Sequence, residues 1–120
     1  MKNIIIKYKK KRIKIQNVKK LSELGKMRGL MFRRREKCPA LLFEFKKPVK
    51  MKIHSLFVFF PFIAAWTDNK NRIVDLKIVK PFRPIISSRK PFYKLIEIPL
   101  NKKYLTLSSV IVGAKKDLKR

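Results

Sequence analysis

A single cysteine, Cys38, a single histidine, His54, three glycines and seven acidic residues are all that this chain of 120 residues holds of those types. Each scarcity excludes something. One cysteine forms no intramolecular disulfide and builds no thiolate metal site by itself; it fits a reducing compartment, so a cytoplasmic protein is expected. Glycines at 25, 29 and 113 only leave no glycine-rich phosphate loop. The most apolar stretch, residues 53–66, is interrupted by His54, Ser55 and Pro61. It falls short of the roughly 18 apolar residues of a membrane helix, so no integral membrane insertion is expected. At the amino terminus Ile4-Ile5-Ile6 is followed at once by Lys7, too short for a signal-peptide core of about 7–15 residues.

What is present in excess is positive charge. Lys and Arg total 33, for a net charge of +26, where a small domain usually stays within about 2–8 of neutrality. Self-repulsion on that scale opposes the compact state unless an anion screens it. Nucleic acid, a ribonucleoprotein or an acidic lipid surface would be such a partner. The competing origin is compositional. Only 9 of the 33 cations are Arg, and a chain rich in Lys, Ile, Phe and Asn is what AT-rich coding yields without any shared partner. Apolar residues make up 46% of the chain, with nine Phe. That suffices for one core, so a single domain over 1–120 is expected rather than disorder. The sequence does not fix the oligomeric state, and a monomer is the working expectation.

The hydrophobic pattern predicts mostly strands. Residues 3–8 are rich in Ile, residues 12–16 alternate charged and apolar, and Lys9-Lys10-Lys11 between them is a solvated turn, so the two segments pair as a hairpin. Asn17 is placed as the N-cap of a short helix over 18–28, with Leu21, Leu24 and Met27 at helical spacing and Gly29 closing it. Residues 40–45 form an apolar strand, Lys46-Lys47-Pro48 a turn, and 49–53 alternate again. Residues 56–60 and 62–67 read as strands split at Pro61. Asp68-Asn69-Lys70-Asn71 reads as a turn leading into a strand over 72–80. Residues 81–91, with three prolines, form a long loop before a strand over 92–98. A helical turn over 101–107, a last strand over 109–112 and a frayed basic tail over 115–120 complete the chain. The fold class expected is mostly β, a β-sandwich or partly open barrel, with one short helix in the N-terminal half.

Four strings occur in order: Gly29-Leu30-Met31-Phe32-Arg33, Leu41-Leu42-Phe43-Glu44-Phe45, the run from Ile53 and His54 to Pro61, and Ile96-Glu97-Ile98-Pro99. Together they resemble the family called domain of unknown function 192, or uncharacterised protein family 0127. The run from Ile53 is closer to archaeal members than to bacterial ones. The resemblance spans roughly residues 18–112. It implies a compact, mostly β fold with a short helix before the Gly29 string, and it implies no activity, so no catalytic residue is carried over. The family often places an Asp shortly after the proline matching Pro61; here that position is Ile63.

Candidate site residues follow from residue type. Arg33, Arg34 and Arg35, with Lys37 close by, form a compact loop whose planar guanidinium groups suit phosphate. Lys10, Lys11 and Arg12 add a second cationic cluster. Exposed rings would supply stacking; Phe82, Phe92 and Tyr93 beside the proline-rich loop are candidates, although capping the core is the preferred role for them. His54 reads as a partly buried, hydrogen-bonded side chain, and alternatively as a general base or phosphate contact in a pocket with Arg33. No spacing pairs it with Cys38 or a serine. Glu97, in a strand, is assigned a salt bridge to one of the many cations, and Trp66 is assigned to the core. Asp68, Asp75, Glu97 and His54 are too scattered for a metal motif, and no cofactor is expected. The reading preferred from the sequence is a non-enzymatic binding protein whose basic surface contacts nucleic acid or a ribonucleoprotein. The alternative is a small-molecule binder or enzyme with a pocket near His54.

Overall fold

The computed structural model describes residues 2–21 and 29–117, with side chains described to residue 113. Six strands, β1 (Lys2–Tyr8), β2 (Lys11–Lys20), β3 (Ala40–Val49), β4 (Phe62–Thr67), β5 (Ile73–Val79) and β6 (Phe92–Pro99), form one sheet in the order β1-β2-β3-β6-β4-β5. All neighbours are antiparallel except β2 and β3. The sheet curls until its edges meet at one corner, where the Lys7 N–H donates to Asn71 O at 2.8 Å and Lys7 bridges Arg72. The result is a half-barrel, the partly open form of the expected β fold.

Two sequence textures produce it. β1 and β2 alternate buried and exposed residues, as strands with one wet face do. β4 is buried at all six positions and β6 nearly so, because both faces of the central strands are covered. The inner, concave face carries Ile6, Ile13, Ile15, Leu42, Ile63, Ala65, Ile96 and Ile98, sealed by Tyr104 and Ile111. The opposite face carries Leu41, Phe43, Phe62, Ala64, Trp66 and Leu95 under a cover of loops that includes Leu30, Val58, Phe60 and Ile86.

The helix expected early is displaced. β2 runs to Lys20, so Asn17 is no N-cap: it lies in the strand with φ 54, at a register shift opposite Lys2–Ile4. Asn tolerates the left-handed region that such a bulge needs. The remainder of the expected helix, 22–28, lies outside the described residues. The one α-helix among the described residues is α1 (Leu105–Asp117), preceded by a 3-10 turn over Lys102–Tyr104. It replaces the strand expected over 109–112. Tyr104, Leu107, Ser108 and Ile111 recur at three- and four-residue spacing and form its covered stripe; the β-branched Val110-Ile111-Val112 hid that period. Residues 115–117 of the expected tail continue this helix. No helix among the described residues is long and apolar enough to cross a membrane.

Two further segments differ. Lys46-Lys47-Pro48 lies inside β3 rather than in a turn, at a shift in the ladder to β6 between Glu44 and Val49, where a missing proline N–H costs no hydrogen bond. Residues 56–60 are loop, not strand. Phe57 takes φ 62, and the Val58 N–H turns back to Ser55 O at 3.1 Å. The β1–β2 and β4–β5 hairpins and the strand over 92–98 form as expected.

Candidate functional site

The four strings quoted above, up to 68 positions apart in the chain, meet at one place. A cleft of about 190 Å³ on the loop-covered face is lined by Gly29, Leu30 and Met31 from the first, Phe43 from the second, Ile53, His54 and Val58 from the third, and Glu97 from the fourth. β6 is the central strand, so Glu97 pairs with Leu41 on one side and Ala64 on the other. It shares the parity of Leu95, which belongs to the loop-covered apolar face. Its side chain is 5% exposed, and it has no hydrogen bond or ion pair among the described residues. The expected salt bridge is therefore not formed with any cation among the described residues. Burial pushes its carboxyl up to about 8, so the group is largely protonated at neutral pH. Gly29 closes over it with φ 52, and a Cβ there would stand 3.2 Å from Glu97 Oε1. Only glycine supplies that backbone angle and that clearance together.

Two pairs of exposed phenylalanines neighbour the cleft's lining residues. Phe32 adjoins the lining residue Met31, and Phe57 and Phe59 adjoin the lining residue Val58. Phe32 and Phe57 stack at 5.3 Å, and Phe59 meets Phe82 edge-on at 5.6 Å. All four are at least half exposed. Phe32, Phe57 and Phe82 also occupy the left-handed region, at φ 60, 62 and 62, which costs a bulky residue about 1–2 kcal/mol each. Hydrogen bonds hold them there: Phe32 N–H to Phe57 O at 3.0 Å and Phe82 N–H to Ser55 O at 2.9 Å. Ser55 is the buried pin. Its hydroxyl donates to Lys80 O and accepts from the Arg83 N–H, both at 2.7 Å, tying the proline-rich loop to the 54–58 loop. Of the three rings proposed from sequence, Phe92 is core, Tyr93 half-buried and Phe82 exposed. Phe32, Phe57 and Phe59 went unnoticed. The alternation of Val58 and Phe60 inward with Phe57 and Phe59 outward was the available signal.

His54 lines the cleft mouth but is exposed rather than partly buried, and one ring nitrogen, Nδ1, accepts from the Leu56 N–H at 3.2 Å. Arg33 does not line the cleft; its Nε donates to the carbonyl of the lining residue Gly29 at 3.0 Å. Arg34, Arg35 and Lys37 are exposed on a loop fixed to the β6–α1 junction. Arg35 Nε donates to Leu100 O at 2.7 Å, Asn101 Nδ2 donates to Arg35 O at 2.7 Å, and Glu36 Oε2 accepts from the Lys102 N–H at 3.0 Å. Lys10, Lys11 and Arg12 lie elsewhere. They sit at the β1–β2 turn, while the Arg33 loop precedes Ala40, which pairs with Val18. Six strand residues separate Arg12 from Val18, roughly 20 Å. Arg12 instead edges, with Lys14 and Lys103, a groove of about 470 Å³ between β2 and α1 that is lined by no acidic side chain among the described residues.

The remaining chemistry-bearing residues have structural partners. Burial pushes the Cys38 thiol up to about 11, against a smaller opposing effect of Arg33, and its Sγ donates to Pro39 O at 3.3 Å, so it offers no thiolate. Asp68 closes the β4–β5 turn by accepting from the Lys70 and Arg72 N–H groups and from Arg72 Nε. Asp75 anchors the proline-rich loop through the Arg89 N–H at 2.9 Å. Trp66 is core, as expected. No group of three or more His, Cys, Asp or Glu among the described residues could hold a metal ion.

A family model for domain of unknown function 192, described as an uncharacterized ACR, matches residues 4–114. No curated protein matches the chain. Two solved structures share the fold. One is a protein of unknown function from Novosphingobium aromaticivorans, with TM-score 0.66 and 14% identity over 88% of this chain and 77% of that one. The other is a putative transcription regulator from Sinorhizobium meliloti, with TM-score 0.67 and 19% identity over 79% of this chain and 76% of that one.

Proposed function

The chain belongs to the domain of unknown function 192 family, and we propose that this member is a non-enzymatic protein that binds single-stranded nucleic acid on the face carrying Phe32, Phe57, Phe59, Phe82 and the Arg33–Arg35 loop. The observation that carries the reading is the set of four exposed rings in two pairs, three of them held in a strained backbone, beside three consecutive arginines. Exposed rings stack on bases that are not already stacked, each contact being worth about 1–3 kcal/mol, and neighbouring guanidinium groups take the phosphates. Strain of this kind persists where presentation of the side chain matters more than local stability. Net charge is not the argument. Exposed Lys and Arg occur on β1, β2, the end of β3 and the loops alike, so the total of +26 includes cations far from any one face.

The test is affinity for a labelled ten-nucleotide RNA or DNA strand, a duplex and anionic lipid vesicles, across a salt titration. Binding to single strands above duplex is expected. Phe32→Ala with Phe57→Ala should weaken it at unchanged salt slope, and Arg34→Ala should lower the slope by about 0.7. Equal loss on removing three lysines from β1 and β2 would show nonspecific charge instead. Binding to vesicles with no preference for strands would assign the face to a lipid surface.

A further inference from the structure

The cleft beside the phenylalanine pairs asks for an occupant of its own. Its floor is a carboxyl group in the middle of a six-stranded sheet, 5% exposed and without a partner among the described residues. Such a group costs several kcal/mol unless something hydrogen-bonds it. A leucine at position 97 would fit the apolar face better, so the acid is not there for packing. Gly29 packs close to it, and a Cβ there would crowd Oε1 at 3.2 Å.

Three properties limit the occupant. The first is size. The cleft measures about 190 Å³. A cavity of about 150 Å³ takes benzene, and drug-sized sites begin near 300 Å³, so one ring system fits. The second is surface. Leu30, Phe43, Val58, Phe62 and Leu95 make the walls apolar and partly aromatic, which suits a flat ring. The third is charge. Among the described residues Glu97 is the only acid lining the cleft, Lys52 and His54 stand exposed at its mouth, and Arg33 is tied to the lining residue Gly29. A cationic ligand would enter against that field. A neutral ring attached to an anion would place the ring inside and the anion beside Lys52 and Arg33.

We propose that the cleft receives a single unstacked nucleobase whose Watson–Crick edge pairs with the Glu97 carboxyl group while its phosphate stays outside. A protonated carboxyl offers one O–H donor and one carbonyl acceptor side by side. Every base presents an adjacent donor and acceptor on that edge, so the pairing tolerates all four and needs no ionised acid. This deepens the single-strand reading and rests on it for delivery of the base: Phe32 and Phe57 at the rim would stack the neighbouring bases. The base could come from a strand or from a free nucleotide, and the two sources are separable.

The experiment measures affinity of wild type, Glu97→Gln and Glu97→Leu for a ten-nucleotide homopolymer strand and for the free nucleoside monophosphates, with thermal melting of each variant as a folding control. Gln keeps a donor beside an acceptor, so Glu97→Gln should bind within about twofold of wild type. Leu keeps the volume and removes both, so Glu97→Leu should lose about tenfold or more, as expected for a bidentate base contact, at unchanged salt slope. Filling the opposite wall with Ile53→Trp should cause the same loss. Glu97→Leu binding the strand as wild type does would overturn the cleft assignment while leaving strand binding intact. Equal loss in Glu97→Gln and Glu97→Leu would mean that the ionised acid is needed, and the ligand is then a cation. If wild type binds monophosphates but no strand, the single-strand reading falls and the cleft assignment survives for a free nucleotide. If it binds neither, both fall.

Discussion

The two faces of the curled sheet obey different rules. The inner face is closed by α1, and its core is aliphatic apart from Tyr8 and Tyr104. Its deeply placed Tyr104 hydroxyl is satisfied. The Tyr104 hydroxyl accepts from the Ala40 N–H at 2.8 Å and lies 3.0 Å from Gln16 O, to which it donates. The outer face is closed by three loops instead of a helix. It carries a buried carboxyl and a buried Trp66 Nε1, both without a partner among the described residues, and three phenylalanines at positive φ among the loops that cover it. Departures from good packing practice are expected at functional sites and are compensated elsewhere. The unpartnered groups and the strained phenylalanines fall on one side of a single sheet, whereas the other non-glycine residues at positive φ among the described residues, Lys9, Lys10, Asn17 and Asn71, sit in hairpin turns and a strand bulge.

The sharpest way to break that comparison is to damage the inner face alone. Ile98 is fully buried there, one residue along β6 from Glu97 but pointing the other way. Ile98→Ala should cost about 2–5 kcal/mol of stability, read by urea unfolding. Strand affinity, corrected for the folded fraction, should stay unchanged. An affinity that falls along with stability would mean that the faces are not separate devices.

A smaller effect sharpens the comparison through pH. The Glu97 carboxyl is pushed up to about 8 by burial, whereas in the unfolded chain it titrates near 4.3. Between those values the folded state holds a proton that the unfolded state has lost. The stability associated with the neutral acid is therefore complete below about 4.3 and declines as pH rises through 8, by up to about 1.4 kcal/mol per unit. Glu44 and Asp68 run the opposite way. Burial alone would raise each, but Lys20 beside Glu44 and the Arg72 contacts to Asp68 outweigh it, so their contributions disappear only in acid. Wild type minus Glu97→Gln cancels them. The difference in unfolding free energy should slope downward from pH 5 to 8, and a flat difference would place the Glu97 carboxyl in contact with water.

How much of this could be read beforehand depended on whether a feature was periodic or assembled. The Ile-rich alternation of β1 and β2, the Asp68–Asn71 turn and the apolar run of β3 specify strands locally, and they formed. The stripe of Tyr104, Leu107, Ser108 and Ile111 was equally periodic but carried β-branched residues, and propensity obscured it. The site had no period at all. Glu97 stood out only as an acid among Ile96, Ile98 and Leu95, and charge abundance suggested a salt bridge. Whether a cation reached it depended on β6 being central and both its neighbours, Leu41 and Ala64, being apolar. Likewise residues 56–60 read as a strand because nothing local announces that the backbone turns left-handed at Phe57. The arginine loop was legible as composition. That it is fastened to the cleft through Gly29, while Lys10–Arg12 points elsewhere, is a product of topology.

The smallest effect tests the strain itself. Phe82 is 56% exposed at φ 62, and its ring touches Phe59 rather than the core. Removing the ring should therefore cost little packing, while glycine accepts the backbone angle that phenylalanine resists. Glycine also has more freedom to lose on folding, which offsets part of the gain. The net expectation for Phe82→Gly is a protein more stable by up to about 1 kcal/mol and weaker in binding single strands, the signature of a residue kept for function at the expense of stability. Phe62→Ala gives the contrast: Phe62 is also on the outer face but fully buried in β4, so it should lose about 3–5 kcal/mol. Should Phe82→Gly prove less stable than wild type, the ring at 82 would be a packing element after all. The outer face would then differ from the inner one in its unpartnered polar groups and its cover of loops, and no longer in strain kept for display.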